Sequence, residues 1–274
     1  MSGGRQCRHR EGDTAQGVSV APRVTGPVGW PPSRGRGAKR RYATADPQFA
    51  VEALRRCALF AEVEEPTLAA VAETLRLRRF RRGEIIFHQG DPGDSLHIIE
   101  SGAVKIALPS PEGAEAIIAT LRRGDFFGEL ALLDGAPRSA TAAALEPTET
   151  LVLARDTFHN LIETAPGLRD ALYAALVHEL RRLTGHVEEL HFLDLAGRLA
   201  LRLARLAREA DPGGGQEVRL DWPYTQEDLA NMIGGTRQSV NRLLSGLADD
   251  GLLRIERDAL IITDVERLAR SAER

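Results

Sequence analysis

Residues 127–140 read FGELALLDGAPRSA, a stretch in which Glu129 and Arg138 stand nine positions apart with a small residue beside each. Glu129 supplies a carboxylate that accepts hydrogen bonds from hydroxyls, and Arg138 supplies a guanidinium that holds phosphate as a fork. Gly128 lets a ligand approach the backbone, and ELALL can form a short helix whose free N–H groups favour an anion. The pattern favours a ligand with one phosphate and one free ribose hydroxyl. The alternative is a surface salt bridge, which would contribute about 0–1 kcal/mol.

Length and composition limit the possible classes of protein. The 274 residues suffice for two domains, and 43% hydrophobic with 27% charged residues is typical of a globular chain. Because the net charge is −3, any contact with nucleic acid must come from a local patch. Cys7 and Cys57 are the only cysteines and lack histidines at zinc spacing, which argues against a disulfide framework, a zinc site and an iron–sulfur cluster. Neither a membrane span nor a signal-peptide core is visible, so we expect a soluble, cytoplasmic protein.

The first 45 residues differ in composition from the rest of the chain. They are rich in Gly, Pro and Arg, sustain no helix or strand period, and hold nine Lys or Arg against two acids. This composition predicts a disordered basic arm over 1–45. The arm could touch nucleic acid, or it could be a spacer or the product of a start codon placed too far upstream.

The next part of the chain changes from a helical to a strand pattern. Residues 49–75 have apolar positions at helical spacing, whereas short β-branched and apolar runs separated by glycines follow from about 76 to 154. Strands of this length with turns every 8–12 residues are typical of a small antiparallel barrel or jelly roll. We therefore predict such a domain over 46–165.

A long helix is predicted to begin after Pro166 and Gly167 and to end near Leu193. Its apolar residues follow a 3-4-3-4-3 spacing: Tyr173, Leu176, Leu180, Leu183, Val187 and Leu190. This spacing is the seam of a two-stranded coiled coil, so the helix is expected to pair with its copy in a dimer. The alternative is an amphipathic helix packed on its own domain. A second helix is predicted over about 195–210, ended by the loop DPGGG at 211–215.

Segment 221–274 predicts a helix, a turn, a helix and then two short strands around a turn at 257–258. Thr225 and Asp228 form a capping box, and Gly234 and Gly235 permit the turn. Long hydrogen-bonding side chains crowd the start of the second helix: Arg237, Gln238, Asn241 and Arg242. Since Arg reads guanine and Asn or Gln reads adenine, this pattern indicates a DNA-reading helix-turn-helix with a wing. The alternative is a small helical domain with a solvated polar face, because the segment holds seven Arg against ten acids.

From about residue 60 to 265 the chain resembles the CRP/FNR family of bacterial transcription regulators. FGELALLDGAPRSA is similar to the phosphate-binding cassette of cyclic-nucleotide domains, FLDLAGRLA (192–200) to the family's hinge, and TRQSVNR (236–242) to its recognition helix. The resemblance implies an α+β fold. Its parts would be an antiparallel β-roll or jelly-roll sensor domain that binds a cyclic nucleotide (46–165), a dimerisation helix and hinge (166–193), and a winged helix-turn-helix domain (194–274).

The resemblance also implies roles for single residues around the ligand. Glu129 would take the ribose 2′-hydroxyl, and Arg138 and Ser139 would take the cyclic phosphate. Gly128 and Leu130 would line the turn.

Four further positions match those that contact the base. Ile106 and Leu121 match residues that wall it. On the long helix, cAMP-responsive members present two adjacent hydroxyl residues, and the positions here hold Leu183 and Thr184. Thr184 is therefore the only hydroxyl at this pair.

The candidate DNA-binding residues by the same resemblance are Thr225, Thr236, Arg237, Gln238, Ser239, Asn241 and Arg242. Arg237 and Arg242 keep the family's arginines. Gln238 stands where a glutamate is common, which changes the expected half-site.

The expected function is that of a homodimeric, cAMP-responsive, sequence-specific DNA-binding regulator. Its expected partners are double-stranded DNA, the cyclic nucleotide, its own copy and RNA polymerase, with no membrane, metal, haem or iron–sulfur cluster. A rival is a regulator whose pocket is vestigial or takes another ligand such as cGMP. A remote alternative is a jelly-roll enzyme with a histidine-held metal, but the roll has only His88 and His97, and a Ser/His nucleophile pair has no support. We therefore expect no enzymatic activity.

Overall fold

The computed structural model describes residues 42–110, 114–213, 217–221, 224–257 and 259–272. Most of the predicted arm lies outside these residues. Its last part departs from the prediction, because Tyr42–Thr44 forms strand β1, which pairs with Arg76–Phe80, and Ala45 is buried. The folded domain therefore begins before the boundary at residue 45. Within the described ranges, no helix is long and apolar enough to cross a membrane.

Two helices precede the roll. α1 spans Pro47–Arg56 and α2 spans Glu65–Thr74, with one 3-10 turn at Ala58–Phe60 between them. Asp46 caps α1, since its carboxylate accepts a hydrogen bond from the Phe49 backbone N–H at 3.1 Å. Pro47 at the first helical position fixes the backbone for that turn.

Eight further strands form the roll. They are β2 (Arg76–Phe80), β3 (Ile85–Phe87), β4 (Ser95–Ser101), β5 (Ala103–Pro109), β6 (Glu115–Arg122), β7 (Phe126–Phe127), β8 (Thr141–Ala144) and β9 (Thr148–Ala154). Two antiparallel sheets result, with the strand orders β1-β2-β9-β4-β7 and β3-β8-β5-β6. The predicted antiparallel roll and the α+β class are confirmed.

Two apolar layers hold the roll together. The layer between the sheets contains Phe80, Ile86, Ile99, Val104, Phe127, Ala142 and Ala144. On the other face of the first sheet, Leu96 and Ile98 of β4 pack with the buried residues of α1 and α2. Successive side chains of a strand point to opposite faces, so Ile98 and Ile99 belong to different layers.

Three further helices belong to this part of the chain: α3 at Leu130–Asp134 between β7 and β8, then α4 at Arg155–Thr164 and α5 at Pro166–Phe192 after β9. The start of α5 packs in the sensor core through Leu168 and Leu172. Beyond it lies an exposed apolar row, here called the α5 stripe, formed by Tyr173, Val177, Leu180, Leu183, Val187 and Leu190. The predicted seam contained Leu176, but Leu176 packs against the sensor core, and Val177 takes its place in the stripe.

The C-terminal part is a winged helix-turn-helix with one strand and one helix more than the sequence pattern indicated. Its elements are α6 (Leu195–Ala210), β10 (Val218–Asp221), α7 (Gln226–Ile233), α8 (Arg237–Asp249), β11 (Leu253–Ile255), β12 (Ala259–Ile262) and α9 (Val265–Ser271). β12 pairs with both β10 and β11. Thr225 and Asp228 form the capping box of α7, and Gly234 ends that helix with φ +70°. Of the wing turn, residue 258 lies outside the described ranges.

Helix α7 packs on the hairpin of β5 and β6, an interface here called the roll–α7 contact. Lys105 donates through Nζ to Glu115 Oε2 at 2.6 Å and to Asp228 Oδ1 at 3.2 Å. Arg122 donates to the hydroxyl of Tyr224 at 3.2 Å. One apolar cluster beside these bonds contains Ile117, Met232 and Ile233. The sensor roll and the DNA-binding part therefore share an interface within one chain.

Candidate functional site

The segment 127–140 connects β7 to β8 and is here called the cassette loop. Gly128 follows the end of β7 with φ +89°, and α3 begins directly after Glu129. The backbone carbonyl of Glu129 accepts hydrogen bonds from the N–H groups of Leu132 and Leu133 at 2.9 and 3.0 Å, which closes the first helical turn. The loop therefore brings the Glu129 side chain and the returning Arg138 to one end of the roll.

Arg138 is folded into the protein beneath this loop. Its side chain is 3% exposed, and its Cζ lies 4.2 Å from the centroid of the Phe87 ring. Nη1 donates to the carbonyl of Gly128 at 2.7 Å, and Nη2 donates to the carbonyl of Ser95 at 2.8 Å and to its Oγ at 3.2 Å. Burial lowers the pKa of this guanidinium from its ordinary value, although an arginine stays charged in proteins.

The Nε–H of Arg138 has no hydrogen-bond partner, although the atom is inaccessible to solvent. A buried donor without an acceptor is rare and costs about 1–3 kcal/mol. A phosphate oxygen is an acceptor that would satisfy it. The position of the guanidinium depends on Gly128, because a Cβ atom there would lie 2.5 Å from Nη1. The residues present therefore fit a cyclic ribose phosphate.

Glu129 is partly buried, and burial raises the pKa of its carboxyl above 4.5. The negative charge of Glu179 on α5 also raises this pKa, while backbone N–H groups and the charge of Arg138 oppose the shift. Within the described residues no ion pair joins Glu129 to Arg138; the acid near Arg138 is Asp94, with 3.9 Å between Oδ1 and Nη2. The alternative of a surface salt bridge between Glu129 and Arg138 is therefore excluded.

The other residues assigned to the ligand lie around this centre. Ile106 and Leu121 are partly buried and pack against the layer between the sheets. Leu130 on α3 is 43% exposed. Ser139 is exposed, and its backbone carbonyl accepts from Gln89 Nε2 at 3.2 Å.

Leu183 and Thr184 lie on the exposed side of α5. The Thr184 hydroxyl donates to the carbonyl of Leu180 at 3.0 Å, one turn earlier. This part of α5 is joined to the roll by Arg182, which donates to the Ile118 carbonyl of β6 at 2.7 Å. Within the described chain, the Thr184 hydroxyl makes no hydrogen bond to the cassette loop.

Several residues around the site were not identified from the sequence. Ser95 and Phe87 hold the Arg138 side chain, and Glu179 and Arg182 connect α5 to the site. Ser95 is 43 positions from Arg138, so no local spacing could have indicated the contact. The single available signal was Ser95's position at the start of a strand after a turn-rich stretch.

The polar face assigned to DNA is exposed on α8. Thr236 caps this helix by accepting from the Ser239 N–H at 3.2 Å, while Val240 and Leu244 bury the opposite face. The exposed side chains are Arg237, Gln238, Asn241 and Arg242, with Thr225 exposed just before α7. A recognition helix enters the major groove with an exposed polar face while its apolar face packs on the domain, and α8 has both faces.

Among the described residues, no group of three or more His, Cys, Asp or Glu side chains is placed to bind a metal ion. His97 is buried inside the roll, with Nδ1 3.2 Å from Thr150 Oγ1 and its ring stacked on Phe127 at 5.0 Å. His88 is exposed. His97 therefore has a packing role.

Comparisons with known proteins match both halves of the chain. Residues 77–165 match the cyclic nucleotide-binding domain family, and residues 197–271 match the Crp-like helix-turn-helix domain family. The CRP-like cAMP-activated global transcriptional regulator of Mycobacterium tuberculosis (strain ATCC 25618 / H37Rv) is 35% identical, over 81% of this chain and 99% of the relative. The cAMP-activated global transcriptional regulator CRP of Escherichia coli O157:H7 is 28% identical, over 72% of this chain and 94% of the relative.

Solved structures share the fold. FixK2 from Bradyrhizobium japonicum aligns with a TM-score of 0.64 at 23% identity, covering 71% of this chain and 95% of that chain. A CooA variant from Carboxydothermus hydrogenoformans aligns with a TM-score of 0.62 at 25% identity, covering 73% and 88%. The curated relatives are regulators rather than enzymes. With its cyclic nucleotide-binding roll and Crp-like helix-turn-helix, the chain belongs to the CRP/FNR family of DNA-binding transcriptional regulators.

Proposed function

We propose that this chain is a cAMP-responsive regulator that binds a pseudo-palindromic DNA site as a homodimer. The observation that carries the proposal is the buried Arg138, whose Nε–H lacks an acceptor beside the partly buried carboxylate of Glu129. A cyclic ribose phosphate brings an anion to Arg138 and a hydroxyl to Glu129, so one ligand meets both needs. Ser139 would share the phosphate, and Ile106 and Leu121 would wall the base.

The α5 stripe supports the dimer. Leu180 is 66% exposed and Val187 is 62% exposed, and continuous apolar rows of this kind mark association surfaces. A second copy of α5 is the partner whose apolar spacing matches the stripe. Pairing along the stripe would also fix the distance between the two α8 helices.

The ligand signal would travel from the cassette loop to α5. Glu179 already acts on Glu129 through its charge, and Arg182 ties the same turn of α5 to β6. In our proposal cAMP favours the state in which the helices near 183–193 are ordered and both recognition helices face successive major grooves. The required coupling is a few kcal/mol of differential affinity between the two states. RNA polymerase stays a predicted partner of the DNA-bound form.

Calorimetry with cAMP tests the proposal directly. We expect one site per chain, and Arg138→Ala should weaken binding by about 1.5–3 kcal/mol or more, since a charge-assisted fork is lost. Arg79→Ala is the matched control, because Arg79 pairs with Glu149 on the exposed side of the roll. Equal cAMP affinity in the wild-type protein and Arg138→Ala would reject the assignment.

A second candidate ligand is cGMP, and the observation that favours it is Leu183 beside Thr184. A single exposed hydroxyl at this pair leaves base selectivity open to either purine. The same titration with cGMP, repeated on Thr184→Val, decides between them. Thr184→Val keeps the shape and removes the hydroxyl, so unchanged affinity and unchanged ligand-stimulated DNA binding would exclude Thr184 from base contact.

A further inference from the structure

A polar cavity lies where α5, α6, α7 and β6 meet, and it is here called the arginine cleft. Its volume is about 30 Å³. Six side chains supply its polar lining: Arg182, His186 and Glu189 from α5, and Arg198, Arg202 and Arg205 from α6. In each helix the three positions are four and then three residues apart, so they share one face. The cleft contains no residue of the cassette loop or of the polar face of α8.

Two of the four arginines are neutralised by carboxylates. Arg205 forms an ion pair with Glu189. Arg182 holds Glu179 through two hydrogen bonds of 2.7 and 2.6 Å. The pair with Arg205 also offsets the repulsion that Glu189 would otherwise exert on an anion in the cleft.

The other two arginines are not neutralised. Within the described ion pairs neither Arg198 nor Arg202 has a carboxylate. Arg198 donates to the carbonyl of Ile233 at 2.8 Å, and Arg202 donates to the hydroxyl of Thr120 at 3.3 Å. Burial lowers the pKa of His186, so its imidazole is counted as neutral. Burial lowers the pKa of Arg202, whereas the charge of Glu209, which lies outside the lining of the cleft, raises it without forming an ion pair with Arg202. The cleft nevertheless carries an excess of positive charge.

One donor in the cleft has no acceptor. The Nε of Arg202 is inaccessible and makes no hydrogen bond. Arg138 in the cassette loop shows the same feature where a phosphate is expected. A small cavity with an excess of positive charge and a donor without a partner is complementary to an anion.

We propose that the arginine cleft binds the phosphate group of a small anionic ligand, at a site separate from the cassette loop. The cavity of about 30 Å³ has room for about two waters, since one water needs about 10–15 Å³. In this proposal the phosphate group replaces these waters, and any larger part of the ligand extends outward. Arg198 and Arg202 would bind the anion. Because α5 and β6 belong to the sensor and α6 and α7 to the DNA-binding part, the bound anion would hold both in this relative placement.

Inorganic phosphate is the probe for the test. Phosphate should bind the full-length protein, measured by ³¹P line broadening at constant ionic strength with chloride as the reference anion. Removing one charged donor in Arg202→Gln should weaken binding about tenfold or more. Arg208→Gln is the matched control, because Arg208 lies on the same helix outside the cleft and pairs with Glu266. In the wild-type protein the ring signals of His186 should shift with phosphate, while those of the exposed His178 should not.

The outcomes separate this site from the cassette loop. Arg138→Ala should keep the His186 shift and the greater part of phosphate binding. If Arg138→Ala abolishes phosphate binding while Arg202→Gln does not, the anion uses the cassette loop and the proposal is wrong. No broadening in the wild-type protein at 10 mM phosphate, on the order of cellular anion levels, overturns it as well. Should Arg202→Gln unfold, Arg198→Gln carries the same expectation, and an unchanged phosphate affinity in that folded variant also overturns the proposal.

Discussion

The Nη1 atom of Arg138 lies 2.7 Å from the carbonyl oxygen of Gly128 and would lie 2.5 Å from a Cβ atom at position 128. The arginine expected to hold the phosphate and the glycine that shapes the loop therefore depend on each other. A side chain at residue 128 would meet an unfavourable backbone conformation, with φ +89°, and would also displace the guanidinium.

Gly128→Ala should therefore be more harmful than backbone strain alone explains. Backbone strain alone should lower the free energy of unfolding by about 1–3 kcal/mol. We expect a larger loss for Gly128→Ala, because the guanidinium is also displaced, together with a clear loss of cAMP affinity. Gly90→Ala is the matched control, since Gly90 has φ +86° and nothing within 4 Å of its added Cβ. Chemical denaturation and calorimetry on both variants measure the two effects. Equal cAMP affinities in the two variants would show that the contact with Arg138 has no role in binding.

His97 makes the stability of the roll depend on pH. Burial lowers the pKa of His97 well below 6.5, and the charges of Arg78 and Arg138 add to this effect. As the pH falls below about 6.5, the unfolded chain binds a proton that the folded chain excludes, so stability present above that pH is lost. The slope for one such group is about 1.4 kcal/mol per pH unit.

The double variant with His97→Phe and Thr150→Val should show a weaker dependence of the free energy of unfolding on pH. The second change is needed because Thr150 Oγ1 faces His97 Nδ1 at 3.2 Å and would otherwise stay buried without a partner. Urea denaturation at about pH 7 and pH 5.5 compares the double variant with the wild-type protein. The prediction fails if both proteins lose stability equally on acidification.

Local sequence patterns were sufficient to predict an element when residues within that element determine where it begins and ends. The capping box at Thr225 and Asp228 and the left-handed Gly234 marked α7 correctly because both act within one turn. Strand β1 was missed for the opposite reason. Tyr42–Thr44 is too short for a strand period and is held by pairing with β2, whose sequence RLRRF carries arginines where a core strand would be apolar.

Contacts between distant residues could not be predicted. Leu176 and Val177 are adjacent and both apolar, so spacing alone could not tell which one packs on the sensor core. The cassette motif indicated Glu129 and Arg138 but not that Ser95 would share the guanidinium. The bond between Lys105 and Asp228 spans 123 positions, and the capping box that contains Asp228 gives no sign of a partner in the roll.

The roll–α7 contact can be followed through Lys105, the only lysine after Lys39 in the chain. Burial would lower the pKa of Lys105, but Glu115 and Asp228 outweigh it and raise the pKa. Acetylation requires an accessible, neutral amine. The low exposure of the Lys105 side chain and its raised pKa therefore both slow the reaction. Asp228→Asn should accelerate acetylation of Lys105 several-fold, measured by mass spectrometry with Lys39 as internal standard.

Glu217→Gln is the control for this measurement, because Glu217 pairs with Arg254 on the exposed wing. It should leave the acetylation rate of Lys105 unchanged. If Asp228→Asn also leaves that rate unchanged, the contact between the roll and α7 is not maintained in solution.

The α5 stripe predicts that a charge at its centre separates the dimer. Leu180→Glu would bury an unpaired carboxylate against its own copy, which is strongly unfavourable. His178→Glu is the control, since residue 178 is exposed and lies about half a turn around the helix from residue 180. Light scattering at micromolar concentration should find a monomer for Leu180→Glu and a dimer for His178→Glu. A dimeric Leu180→Glu protein would place the interface elsewhere.

The last prediction concerns what α8 reads in DNA. A symmetric dimer requires a pseudo-palindrome with half-site centres about 10–10.5 bp apart. Arg237 is exposed at the first turn of α8, and its Nε donates to Gln226 at a long 3.3 Å, a weak bond that guanine N7 and O6 can replace. Arg237→Ala should therefore cost about 1–3 kcal/mol on the preferred site and remove the preference at one base pair.

Gln238 should make the neighbouring position less strict. A carboxylate accepts from cytosine N4, whereas an amide both donates and accepts, so it pairs with adenine or tolerates several bases. Selection from randomised sites with saturating cAMP, on the wild-type protein, Arg237→Ala and Gln238→Glu, measures both effects. An arginine that touches only phosphate would weaken all sequences alike and lower the salt slope by about one unit. An unchanged sequence preference in Arg237→Ala would show that α8 is docked differently. If Gln238→Glu gives no sharper preference for cytosine, the argument from the amide is wrong even if the docking is right.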